Sequence, residues 1–221
     1  MKKIAVLFVI ALLSASCSSI KRAETPFTVD YRSEYYPAGS IEIQFDKALG
    51  GLKKETATVS YYPEEDAVCL DFRTEAVYFS QFWSREGRNA FIEALEQYNQ
   101  DFEERALVKS RKTKKAYGKA QGYVVWKTMK ILFAPAYGVS NYELGYAFNE
   151  GSPFFTVMQR SAEYKDDKSN IRKSVKVLSY FTRAQAEDLA GLFNQEYLNS
   201  IERINPQGGR RDILRDLFNA K

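Results

Sequence analysis

Apolar and polar residues alternate with a period of two over much of this chain, and the alternation gives way twice to a period near four. Ile41-Glu42-Ile43-Gln44-Phe45 alternates strictly and predicts a strand. A Gly50-Gly51 turn region follows. Thr56 to Tyr62 reads as a second strand, turned at Pro63-Glu64-Glu65-Asp66. Val68 to Phe72 is a third, with Val68, Leu70 and Phe72 on one face, and Ala76 to Phe82 is a fourth. Ser84 then caps a helix. Phe91, Ile92, Leu95, Tyr98 and Phe102 set its apolar face, with Glu93, Glu96 and Gln97 opposite, and the pattern fades near Leu107.

The second half follows the same order. Tyr117 to Met129 is a long strand or hairpin, and Asn141 to Phe148 is a strand before the turn Asn149-Glu150-Gly151-Ser152-Pro153. Phe154 to Tyr164 and Arg172 to Phe181 flank a polar hairpin loop at Lys165-Asp166-Asp167-Lys168-Ser169-Asn170. Thr182 caps a second helix, with Gln185 completing a capping box. Leu189, Leu192, Phe193 and Tyr197 form its buried face. Phe82-Trp83-Ser84-Arg85 and Tyr180-Phe181-Thr182-Arg183 are alike, and the caps lie 98 residues apart (182 − 84). These patterns predict an α+β fold: a tandem duplication of a ββββα unit, with antiparallel sheets each covered by a helix. The units span residues 40–107 and 108–204, with a ligand or partner groove between them. Residues 205–221 read as a short C-terminal helix with Ile213, Leu214, Leu217 and Phe218 on its docking face. Phe133-Ala134-Pro135-Ala136-Tyr137-Gly138-Val139 reads as an apolar loop lying over the core.

The first nineteen residues change the picture. Lys2 and Lys3 precede an apolar run from Ile4 to Leu13, too short to span a bilayer. Small residues lead to Cys17, so residues 1–16 have the plan of an export signal and 17–39 that of a tether and lead-in segment. Leu13-Ser14-Ala15-Ser16-Cys17 resembles the lipobox of bacterial lipoproteins. Leu stands one place earlier than the usual pattern has it, in the looser style of spirochaete lipoproteins. The resemblance implies diacylglyceryl transfer to the Cys17 sulfur, cleavage after Ser16 and acylation of the new amino terminus. Two or three acyl chains would hold the protein on a membrane, where one myristoyl-length chain holds only marginally. Ser18 rather than an aspartate leans towards the outer membrane.

Composition narrows the chemistry. The chain has 221 residues, 205 from Cys17 onward (221 − 16), enough for a sizeable core. The net charge of +4 falls to about +2 without Lys2 and Lys3 (4 − 2), which gives no basis for nucleic-acid binding. Fifteen Tyr and fifteen Phe favour a strand-rich core. The chain has no histidine, the commonest general base and metal ligand. With Cys17 lipidated, Cys69 stands alone in a strand and reads as a small buried side chain. No nucleotide, zinc or nucleophile-elbow motif occurs. No catalytic residue, cofactor or metal ligand is therefore expected, and Glu64-Glu65-Asp66 reads as a solvated turn.

One charge cluster stands out. Arg105 to Lys119 holds seven basic residues and no acid. Lys109, Arg111, Lys112, Lys114 and Lys115 form a candidate contact for an anion or membrane surface, set against a solvated linker. The expected function is a non-enzymatic, membrane-anchored envelope lipoprotein binding a partner protein or a small apolar or anionic ligand. A structural accessory subunit of an envelope complex is the alternative, and a carboxylate-dependent hydrolase a weaker one.

Overall fold

The computed structural model describes residues 27–30, 33–47, 50–75, 77–109, 116–128, 135–165, 171–204 and 209–210. Its first strands are β1 (Glu34–Asp46), β2 (Leu52–Tyr62), β3 (Ala67–Arg73) and β4 (Val77–Trp83), followed by helix α1 (Arg85–Glu103). Then come β5 (Ala116–Thr128), β6 (Ala136–Asn149), β7 (Ser152–Gln159), a small hairpin of β8 (Glu163–Lys165) and β9 (Ile171–Lys173), and β10 (Val177–Phe181). The chain finishes with α2 (Arg183–Phe193), α3 (Gln195–Ile204) and β11 (Gly209–Arg210).

The expected pair of ββββα units is not what forms. Eight strands make one closed antiparallel barrel in the order β1-β2-β3-β4-β5-β6-β7-β10, and β10 returns to β1 through Gln44↔Tyr180 and Phe45↔Ser179. Two pairings overturn the tandem arrangement. β4 joins β5 over seven positions, from Val77↔Thr128 to Trp83↔Gly122, so the two halves share one sheet. The seam with β10 then removes the remaining edges, which an open sheet would have to protect. The inward positions of all eight strands are mainly apolar and meet one another across the barrel. The core therefore lies inside the closed sheet and continues at one end into the apolar faces of the helices.

Both helices gather at one end. Ser84 accepts from the Gly87 amide at 3.2 Å to start α1, and Thr182 and Gln185 form a capping box at the start of α2. Phe91 of α1 reaches the barrel core edge-to-face against Trp83, Phe155 and Phe193, with ring centroids 5.9, 5.2 and 5.1 Å apart. The single second helix expected from the apolar spacing is two helices. Asn194 ends α2, and its side chain accepts from the amides of Glu196 and Tyr197 at 2.9 and 3.1 Å, capping α3.

β1 is much longer than β10, and between Tyr35, which pairs with β11, and Gln44, which pairs with β10, no described strand lies on its seam side. The helices cover it. Gln185 donates to Glu42 at 2.7 Å, Tyr197 donates to the Ala38 carbonyl at 2.7 Å, and Leu192 lies against Gly39. Gly39 sits at a register shift with φ +142°, which suits glycine there. On the outer wall, Phe27 and Val29 of the lead-in segment pack on a cluster that includes Tyr62, Cys69, Phe82 and Tyr123. Cys69 is buried there.

Other expected elements differ in extent. Ala136 to Val139 is not a loop; it pairs with Tyr123 to Trp126 as the start of β6, with Ala136 buried and Tyr137 39% exposed. The segment from Phe154 to Tyr164 splits into β7 and β8, and that from Arg172 to Phe181 into β9 and β10. Gly209 and Arg210 of the expected C-terminal helix pair instead with Tyr35 and Glu34, and the rest of that segment lies outside the described residues.

Candidate ligand site at the open end of the barrel

The two ends of the barrel have different chemistry. At the helical end, aromatic rings of the strands and of α1 and α2 interlock, and a buried cation pins the assembly. Arg88 of α1, 1% exposed, donates to the Asp66 carbonyl at 2.7 Å, the Asp66 carboxylate at 2.8 Å and Gln195 of α3 at 2.6 Å. Asp66 also meets Arg85 at 2.5 Å and holds φ +47°, a conformation Asp tolerates better than most residues. The turn read as solvated is thus an anchor for two helices, with Glu65 accepting from Ser33 at 2.5 Å.

At the opposite end a cavity of about 450 Å³ opens to solvent. Phe45, Val77, Met158, Val177 and Leu178 supply its apolar wall. Alternation along β2 places Lys53 and Glu55 in the inward row of Ala57 and Val59, so the wall turns charged at the mouth. Lys53 pairs with Glu55. Asp46 accepts from the Tyr180 hydroxyl at 3.1 Å; burial, then that carboxylate, pushes the Tyr180 hydroxyl well above its ordinary range. Glu75 and Lys176 complete the charged rim, which carries three acids against two lysines. The β8–β9 hairpin packs beside β6, with Tyr164 against Tyr137 at 4.8 Å between ring centroids. Val175 and Lys176, just after that hairpin, line the mouth.

Behind the apolar wall the barrel interior holds a few polar groups. Gln81 on β4 donates to Gln159 on β7 at 2.6 Å across the core. Gln159 is the cross-strand neighbour of Val177 on one side and of Tyr142 on the other. Tyr142 lies across Gly122, where a Cβ would stand 2.3 Å from its ring, and its ring centroid is 4.4 Å from that of Trp83. Gly122 is required for that close approach. Burial raises the Tyr142 hydroxyl well above its ordinary range, so it stays a neutral donor.

The residues singled out from sequence fall elsewhere. Lys109 is exposed in the segment after α1. Arg111, Lys112, Lys114 and Lys115 lie outside the described residues, as does Cys17. No groove between two repeats exists to hold a ligand, because the halves share one barrel. Among the described residues no helix is long and apolar enough to cross a membrane, and no group of three or more His, Cys, Asp or Glu is placed to hold a metal ion.

A family match covers residues 14–200, or 187 of the 221 (200 − 14 + 1). The chain belongs to the family described as Uncharacterised Treponema protein. That membership supports the spirochaete-like origin suggested by the leader. No curated protein matches the chain, and no solved structure does.

Proposed function

We propose that this protein is a lipid-anchored envelope protein whose barrel takes up a small apolar or amphipathic molecule through its open end. The observation that carries the reading is the cavity at that end. Its volume of about 450 Å³ falls within the range of about 300–1,000 Å³ typical of small-molecule sites, which favour the mouths of β-barrels. Its wall is apolar and its rim charged, the arrangement that suits a molecule with one greasy and one polar part.

The anchor rests on the Cys17 motif. Phe27 stands only ten residues along the chain from Cys17 (27 − 17). Whatever their conformation, they reach at most ~36 Å, so the barrel works close to the membrane that holds it. The exposed outward positions Lys54, Thr56 and Thr58 on β2 are polar. That is the reverse of the apolar outer band of a membrane-spanning barrel, and attachment falls to the anchor.

The test uses the full chain expressed with its own leader. Intact mass is expected to show a mature start at Cys17 carrying acyl groups, lost in Cys17→Ser. Titration with N-phenylnaphthylamine, an uncharged probe that brightens in apolar sites, is expected to saturate at one site. Val177→Phe, which fills the cavity, is expected to abolish that binding. A probe that fails to bind, or that binds Val177→Phe equally well, contradicts the ligand reading; an unlipidated start contradicts the anchor.

A further inference from the structure

Three hydrogen-bond donors inside the barrel have no partner among the described residues: Nε2 of Gln159, the Tyr142 hydroxyl and Nε1 of Trp83. All three side chains are essentially inaccessible, with Gln159 and Tyr142 at 0% and Trp83 at 1%. A buried donor without an acceptor is destabilising, and native interiors satisfy nearly all such groups. Three in one interior are out of keeping with a core formed only for packing.

Their placement is contiguous. The Trp83 ring lies against that of Tyr142 at a tilt of 35°, Tyr142 neighbours Gln159 across the β6–β7 ladder, and Gln159 neighbours Val177 across the β7–β10 ladder. Val177 lines the open cavity, and Gln159 shares its inward row. The donors therefore begin directly behind the cavity wall.

The chemistry of the set is specific. The three groups are an amide, a phenol and an indole. All are neutral, and all have donating hydrogens to spare. Among the described residues, the interior charges at the cavity, Lys53 and Glu55, stand at the rim and are paired with each other, and Arg88, beyond Trp83 at the sealed end, is held by the Asp66 carboxylate. A carboxylate carried past the rim would lose its hydration and meet no unpaired cation among them. A carbonyl would lose little and gain hydrogen bonds.

We infer that the ligand is an uncharged amphiphile with an ester or amide carbonyl, which enters head-first so that its carbonyl oxygen is bound by Gln159 and Tyr142 while its apolar body fills the cavity. This rests on the open-end reading above and adds the class of ligand to it.

Displacement of N-phenylnaphthylamine by methyl decanoate and by decanoate separates the two. The wild-type protein is expected to bind the ester at least about tenfold more tightly than the anion. Gln159→Leu alone would strand Gln81, so the informative variant is the double replacement Gln81→Leu/Gln159→Leu, which removes both amides together. That variant and Tyr142→Phe are each expected to weaken the ester about tenfold and leave probe affinity unchanged. Thermal unfolding of each variant reports whether the barrel is intact, and Tyr142→Phe, the milder change, stands as the test if the double variant does not fold. Decanoate binding as tightly as the ester overturns the inference, as does ester affinity indifferent to these substitutions, and both outcomes leave the cavity reading standing. A wild-type protein that binds neither probe nor ester overturns both.

Discussion

The helical end and the open end of this barrel are built from the same eight strands, yet one is sealed and the other receptive. At the sealed end the inward residues are large and mutually interlocked: Trp83, Phe155 and Phe181 meet Phe91 and Phe193 from the helices. At the open end Phe45 stacks on Phe72, but the inward residues at the mouth include Val77, Val177, Lys53 and Glu55, and no described helix residue lines the cavity there. The difference is one of cover: helix side chains interlock with the strand rings at one end, and the described residues that line the cavity at the other all come from strands and loops.

This contrast can be broken most severely at the sealed end. Phe91→Ala is expected to cost about 3–5 kcal/mol, read as a shift in the midpoint of denaturant unfolding. Asp66→Ala is expected to cost about 3 kcal/mol, because it leaves the buried Arg88 guanidinium without its carboxylate. The carboxylate is about one-third exposed, which holds that figure to the low end. Asp66→Asn, which keeps a side-chain acceptor and tolerates the positive φ, is expected to cost less in the same assay.

The cavity-filling Val177→Phe is expected to abolish probe binding at a cost of about 1–3 kcal/mol, since Val177 is packed in the core as well as lining the cavity. Comparable destabilisation by Val177→Phe and Phe91→Ala would erase the distinction between the ends.

A pH series sharpens the comparison further. Burial lifts the Tyr98 hydroxyl to about 12, against about 10 in the unfolded chain, with Arg183 opposing slightly. Above pH ~10 the unfolded state has lost that proton and the folded state retains it, so stability falls as pH rises from ~10 through ~12. Unfolding midpoints measured across that window are expected to decline less steeply in Tyr98→Phe. The exposed Arg160–Glu143 pair on the outer wall is the smallest term. Glu143→Gln is expected to change stability by about 0–1 kcal/mol.

Local structure was legible in the sequence where one segment decides it. Ser84 and Thr182 cap helices because a short hydroxyl side chain can reach an unsatisfied amide of the first turn. Val68, Leu70 and Phe72 face inward together because strand side chains alternate. Closure was not legible. A strand with one apolar face reads the same whether that face meets a helix or the far wall of a barrel, and the pairings of β4 with β5 and of β10 with β1 are properties of two segments at once. The likeness of the two capped junctions reflects two helices meeting at the same end of the barrel.

The site left faint signals of its own. Arg88 shares the spacing of Phe91, Leu95 and Tyr98 on α1, so a cation on that face called for a buried partner. Gln81 follows Val77 and Phe79, and Gln159 follows Phe155 and Val157, at inward positions of their strands. Polar residues there depart from the apolar row, and they are the positions on which the proposed ligand chemistry rests.

The most direct measurement is an amide NMR titration of the mature protein with methyl decanoate. Shifts are expected to grow and saturate together at Phe45, Val77, Met158, Gln159 and Val177, with Phe91 and Phe193 unmoved. Shifts centred on the helices or on the outer wall around Tyr62 and Phe82, or none anywhere, would contradict the ligand reading.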